Sequence, residues 1–180
     1  MRNKSLNFKD YEDVRDIKMD KNFYTVRAYE QKLFDDRLLT ASMEDYVEML
    51  YRCTMEEENY IRLNKLALML NVRDSSASKM MQKLGKLGLV DYEKYGIIKL
   101  TDLGIKVGRY LLSRHNTIEK FLRFLSADSD ILVETELIEH VVSSTTVENL
   151  NILNNFIESN ENILDEYRAF REEYYKKVKV

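Results

Sequence analysis

The chain has 180 residues, enough for one large or two small domains, and its 44% hydrophobic and 33% charged composition is that of an ordinary soluble globular protein. A single cysteine, Cys53, excludes an internal disulfide. No run approaches the roughly 18 apolar residues of a membrane span, and the opening residues carry no apolar signal, so a cytoplasmic location with no membrane partner is expected. The net charge of −3 argues against nucleic acid until it is divided along the chain: residues 61–120 hold 12 Lys and Arg against 5 Asp and Glu, a balance of +7, while both flanking thirds are acidic.

Residues 1–40 are highly charged with scattered aromatics; a helix is predicted near 22–38, and nothing in the segment points to a function. Residues 42–56 read as a helix opened by Ser42, with Met43, Tyr46, Val47 and Leu50 on one apolar stripe. Asp45 and Glu48 fall on the opposite face with Arg52, where an isolated D-x-x-E is more often a surface pair such as Glu48–Arg52. A short amphipathic helix over 61–70 and the turn NVRD come next. A second helix over 75–86 follows, with Asp74 as its N-cap, Met80 and Leu84 facing inward, and Gly88 as its stop. Two short helices joined by such a turn match a helix-turn-helix with 75–86 as recognition helix.

The runs LVDYEKY and IIKLT, joined around Gly96, read as a hairpin, which in this position is a wing. Thr101 then caps a long helix with Leu103, Val107, Tyr110 and Leu111 on its apolar side, running through His115 to Phe124. After a loop holding Asp128 and Asp130, a helix is predicted over 131–143. Its Leu137, Ile138, Val141 and Val142 face one way, and Glu136, Glu139 and His140 the other. A last helical region, 146–177, should break near Ser159–Asn160. Five glycines and no proline agree with a mostly α chain.

Six side chains of metal-ligand type stand out: Asp45 and Glu48 before the helix-turn-helix, His115 in the long helix, and Glu136, Glu139 and His140 in the trio ELIEH. Four carboxylates and two imidazoles without sulfur suit Mn2+ or Fe2+. Two divalent cations would balance the four negative charges with both imidazoles neutral. Glu136, Glu139 and His140, at i, i+3 and i+4, can converge from consecutive turns. Metal held by all three stretches would tie a DNA-reading module to a second module, which is the wiring of a sensor. On the basic middle third, Ser75, Ser76, Ser78 and Lys79 open the recognition helix as candidates for base edges or phosphate, with Lys83, Lys94 and Lys99 as phosphate contacts.

MEDYVEMLY, NVRDSSASKMMQKL, DYEKYGIIKLT, the RH of SRHNTIEKFL and ELIEH together resemble the manganese transport regulators of the diphtheria-toxin-repressor family, in order over about 42–157. The resemblance implies a mostly α fold of three parts. Residues 1–40 form an extension of unassigned role, 41–108 a winged helix-turn-helix DNA-binding domain, and 109–180 an all-helical dimerisation and metal-binding domain. It further implies a homodimer that binds a palindromic double-stranded operator when metal is plentiful and represses metal-uptake genes, with no catalysis and no small organic ligand. Carried over by position, the six residues would hold two ions per protomer, with Glu136 and Glu139 bridging. The iron-sensing branch usually has methionine where Asp45 stands and cysteine where Glu136 stands, so the chain's oxygen donors favour manganese.

The chain also departs from that pattern. Asp74 replaces a usual proline, the helix carrying Asp45 normally lies nearer the N-terminus, and the helical end does not match the extra SH3-like domain of some members. Two other readings compete. A two-metal enzyme is disfavoured because helical di-iron enzymes carry two Glu-x-x-His pairs and this chain has none. A winged-helix regulator of a non-metal ligand would keep the acidic residues only as surface charge.

Overall fold

The computed structural model describes residues 39–56, 60–93, 96–125 and 130–178. The chain divides into two units, Met1–Thr40 and Ala41–Val180, and the described residues lie almost wholly in the second. The helix predicted near 22–38 and Asp128 lie outside them.

Helix α1, Ala41–Glu56, buries Tyr46, Val47, Leu50 and Tyr51, but its other side is not a solvent face, because Glu44 and Glu48 are buried too. The expected helix over 61–70 divides. Ile61–Arg62 forms strand β1, and helix α2 spans Leu63–Met69. Ile61 is β-branched and buried, and it sits opposite Ile98, so sheet pairing outcompetes a helical first turn.

Helix α3, Asp74–Lys86, follows the turn at residues 70–73. Arg73, not Asp74, is its N-cap residue, with no side-chain cap bond; the Asp74 carboxylate sits inside the first turn, where the helix dipole favours it. Its inward face is Ala77, Met81 and Leu84, so Met81 rather than Met80 fills the core. Gly88, at φ +71°, ends it in the left-handed region.

Strands β2, Val90–Tyr92, and β3, Ile97–Leu100, pair antiparallel, and β1 pairs with the other edge of β3, giving the order β1-β3-β2. Thr101 then closes the unit: its hydroxyl donates to the Gly88 carbonyl at 2.6 Å and accepts from the Gly104 amide at 3.0 Å. This is the expected cap, and it locks the wing to the start of helix α4, Asp102–Leu125.

Helix α4 crosses α1 at Gly108, where an added Cβ would lie 2.5 Å from Tyr51 Cβ. The close approach brings Glu44, Asp45 and Glu48 of α1 to the level of Arg114 and His115.

Helix α5 spans Ile131–Glu139, with His140 as C-cap, and stops four residues short of the expected end. Its two sides separate as the spacing predicts. Ile131, Thr135 and Glu139 face inward, while Leu137 and Val141 stand 71% and 81% exposed. Glu139 meets His115 of α4 and His140 meets Glu44 of α1, while Glu136 keeps 58% of its side chain exposed. Helix α6, Ser144–Glu158, is capped by the Ser143 hydroxyl, which accepts from the Thr146 amide at 3.2 Å. It is tied to α4 by buried Asn154, whose Nδ2 donates to the Thr117 carbonyl at 2.9 Å. Helix α7, Glu161–Val178, begins after the break expected at Ser159–Asn160. No helix among the described residues is long and apolar enough to cross a membrane.

Candidate metal centre and nucleic-acid interface

Three helices deliver the six candidate ligands. Glu44 and Glu48 are one turn apart on α1 and point the same way, with Asp45 beside them; His115 comes from the middle of α4; Glu136, Glu139 and His140 come from the last turn and C-cap of α5. All six are brought together, in two groups whose donor atoms lie within 4.8 Å of one another: Asp45, Glu136, Glu139 and His140, and Glu48, His115 and Glu139.

Glu139 belongs to both. Its Oε2 accepts from His115 Nδ1 at 2.8 Å, and its Oε1 lies 3.7 Å from His140 Nε2. Glu136, also expected to bridge, falls in the first group alone, with its Oε1 3.9 Å from His115 Nδ1. The Glu48 carboxylate lies 3.9 Å from the same nitrogen and accepts from Arg52 at 2.6 and 2.9 Å. The Glu48–Arg52 pair read from the sequence therefore exists, but on a buried carboxylate that also faces the histidine.

The electrostatics fit a cation. Burial, reinforced by the charges of Glu139, Glu44 and Glu48, holds the Asp45 carboxyl above its ordinary range against the opposing pull of His140. Burial, together with the charge of Glu139, raises Glu136 in the same way. The hydrogen bond to Glu139 raises His115. Carboxylates desolvated and crowded in this way are stabilised by positive charge placed among them. Asp45 Oδ1 tests the fit directly: it is buried and accepts no hydrogen bond, although His140 Nε2 is 3.0 Å away. A buried carboxylate oxygen without a hydrogen-bond donor beside an imidazole nitrogen is a donor pair suited to a divalent ion.

Two participants were missed in the sequence. Glu44 Oε2 accepts from His140 Nδ1 at 2.8 Å and from Arg114 Nη2 at 2.7 Å, and both Glu44 and Arg114 are buried. The available signals were slight: Glu44 adjoins Asp45 and precedes Glu48 by one turn, and Arg114 adjoins His115.

Ser75, Ser76, Lys79 and Lys83 are exposed along α3, together with Arg73 at its N-cap, which was not singled out from the sequence. Ser78 is half-buried, its hydroxyl 3.2 Å from that of Tyr92 on the wing, and is thereby engaged inside the domain. Lys99 donates to Glu93 at 3.2 Å and keeps about 44% of its side chain exposed. Lys94 lies outside the described residues.

With this arrangement in place, residues 38–98 match the family described as iron dependent repressor, N-terminal DNA binding domain, and residues 101–166 match the iron dependent repressor metal binding and dimerisation domain. The chain belongs to the iron dependent repressor family. Members of this family are metal-dependent DNA-binding transcriptional regulators, and the wing, recognition helix and helical second part seen here are their fold.

Among curated relatives, this repressor is 38% identical to the HTH-type transcriptional regulator MntR of Bacillus velezensis over 133 residues, 73% of this chain and 93% of that one. It is also 38% identical to MntR of Bacillus subtilis over 125 residues, 69% of this chain and 87% of the other. Among solved structures it is similar to the manganese regulator SloR, at 32% identity and a TM-score of 0.53, over 63% of this chain and 54% of that one. A manganese-dependent transcriptional repressor in complex with manganese matches at 27% identity and a TM-score of 0.57, over 63% and 53%. The chain spans about half the length of these solved structures.

Proposed function

We propose that this repressor is a manganese-responsive regulator whose six residues Asp45, Glu48, His115, Glu136, Glu139 and His140 hold two divalent ions per protomer. Glu139 would be the shared ligand. The observation that carries the reading is the splitting of the Glu139 carboxylate between two donor groups that each draw on α1, the helix leading into the DNA-binding part. Manganese is favoured over softer ions because every donor is oxygen or imidazole nitrogen; ferrous iron fits the same set less selectively. The names of the relatives point the same way.

A bound divalent ion supplies positive charge that offsets the crowded carboxylates. The chain's residues do the rest. Asp45 and Glu48 report the position of α1, and with it the recognition helix α3. Glu136, Glu139 and His140 report the position of α5, in the dimerisation part. His115 stands between them on α4. Holding these three helices in one arrangement sets the separation of two recognition helices in a homodimer, and so the fit to a palindromic operator whose half-sites lie about one helical turn or a multiple apart. A ten- to hundredfold gain in DNA affinity needs a coupling of only about 1.4–2.8 kcal/mol.

We take 41–108 as the DNA-binding domain, 109–180 as the dimerisation and metal-binding domain, and the cytoplasm as the site of action. Arg73, Ser75, Ser76 and Lys79 would meet DNA at the start of α3, with Lys83, Lys94 and Lys99 on flanking phosphates. Selection from an operator library by the purified protein tests the whole reading. Enrichment of a palindrome with Mn2+ and its loss with chelator is expected; equal enrichment in both would sink it.

A further inference from the structure

Buried Arg114 and Glu44 form a triad with the half-buried proposed ligand His140. Glu44 Oε2 accepts two charge-assisted hydrogen bonds, from Arg114 Nη2 at 2.7 Å and His140 Nδ1 at 2.8 Å. All three residues come from different helices, α1, α4 and α5. Glu44 and Arg114 keep only 6% and 4% of their surface exposed, so neither ion of the pair is solvated. A pair this deeply buried adds little net stability by itself. Its geometry, however, does something a surface pair cannot.

We propose that Glu44 is a positioning residue that fixes the tautomer and ring orientation of His140, and that Arg114 holds Glu44 in place. With Nδ1–H donated to Glu44, the lone pair of His140 is on Nε2, the nitrogen that faces Asp45 Oδ1 at 3.0 Å and Glu139 Oε1 at 3.7 Å. An imidazole free to rotate would spend part of its time with Nε2 turned away from those oxygens. A carboxylate on the far nitrogen removes that freedom. Because Glu44 rides on α1 and His140 ends α5, the ring is correctly aimed only when the two helices are docked. Arg114 has a second effect: it offsets a fifth carboxylate that would otherwise add to the crowding.

This role rests on the metal-site reading above, and the test separates the two. Mn2+ binding is followed by the electron paramagnetic resonance signal of the free ion for the full chain and for Glu44→Gln, His140→Ala and the double variant. Glu44→Gln is expected to weaken Mn2+ binding about 10- to 100-fold. In the His140→Ala background, the same substitution should change affinity by less than about twofold, because the residue through which Glu44 acts is gone. An equal loss from Glu44→Gln with and without His140, or no loss at all, overturns the positioning role while leaving the metal site standing. Unchanged Mn2+ binding in His140→Ala overturns both. Should Glu44→Gln unfold by circular dichroism, Glu44→Gln combined with Arg114→Met removes both halves of the buried pair and carries the same expectations.

Discussion

Glu139 and His115, 24 positions apart and on different helices, meet at 2.8 Å with each nearly sealed from solvent. That contact fixes which side of α5 faces the interior. It also places one carboxylate oxygen toward each of two histidines, and several consequences can be measured.

Glu139→Ala should be the most damaging single change at the site, because it removes a donor from both groups at once. The expected result is loss of Mn2+ binding by both classes of site and loss of metal-dependent operator binding. Glu136→Ala, in one group and half-exposed, should keep one class. Calorimetric titration with Mn2+ distinguishes the two, and a Glu136→Ala variant as impaired as Glu139→Ala would contradict the shared role of Glu139.

Mn2+ should stabilise the folded chain. At a free concentration one hundred times Kd, one site contributes about 2.7 kcal/mol. For a chain of this size that corresponds to a rise in Tm of roughly 5–11 °C. Differential scanning calorimetry with Mn2+ and with chelator checks it, and Tm should fall to the chelator value in Glu139→Ala whether or not Mn2+ is added.

Gly108→Ala sets two effects against each other. Alanine favours a helix interior over glycine by about 1 kcal/mol. The new methyl group, however, would lie 2.5 Å from Tyr51 Cβ, so α1 and α4 must separate. Overpacking of this kind costs about 1–3 kcal/mol, and a net loss of stability in urea titration is expected. Because the same crossing brings Asp45 and Glu48 level with His115, Mn2+ affinity should fall with it, although no ligand has changed.

The exposed Leu132, Val133 and Leu137 of α5, with Val141 just beyond it, are the expected contact between protomers of this dimerising family. Leu137→Glu should shift sedimentation from dimer to monomer and abolish operator binding, while Mn2+ binding within the protomer survives. A variant that remains dimeric would move the interface elsewhere.

On the DNA side, Lys83→Ala should weaken binding to all sequences alike and reduce the salt slope by about one. Ser78→Ala should act chiefly on stability, since its hydroxyl is engaged with Tyr92 inside the domain. Filter binding across a salt series separates the two behaviours.

Local pattern was sufficient for much of this molecule. Periodicity and punctuation located α1, α3 and α4, the wing around Gly96, the Thr101 cap and the break at Ser159–Asn160, since each rests on interactions within a few residues. The six candidate side chains could be picked out because carboxylates and imidazoles recur at helical spacing on both sides of the helix-turn-helix.

What only packing settled were choices between faces and between partners. Ile61 left its helix for a strand because Ile98 offered a sheet edge. Met81 rather than Met80 fills the core, on the same face as Ala77 and Leu84, and with both positions methionine only packing told the two apart. The two sides of α5 were legible, but that Glu139 meets His115 emerged only from the packing of α5 on α4. Glu44 and Arg114 were not singled out, for a desolvated ion pair has no local signature: they and His140 lie far apart along the chain, and only their meeting makes the triad.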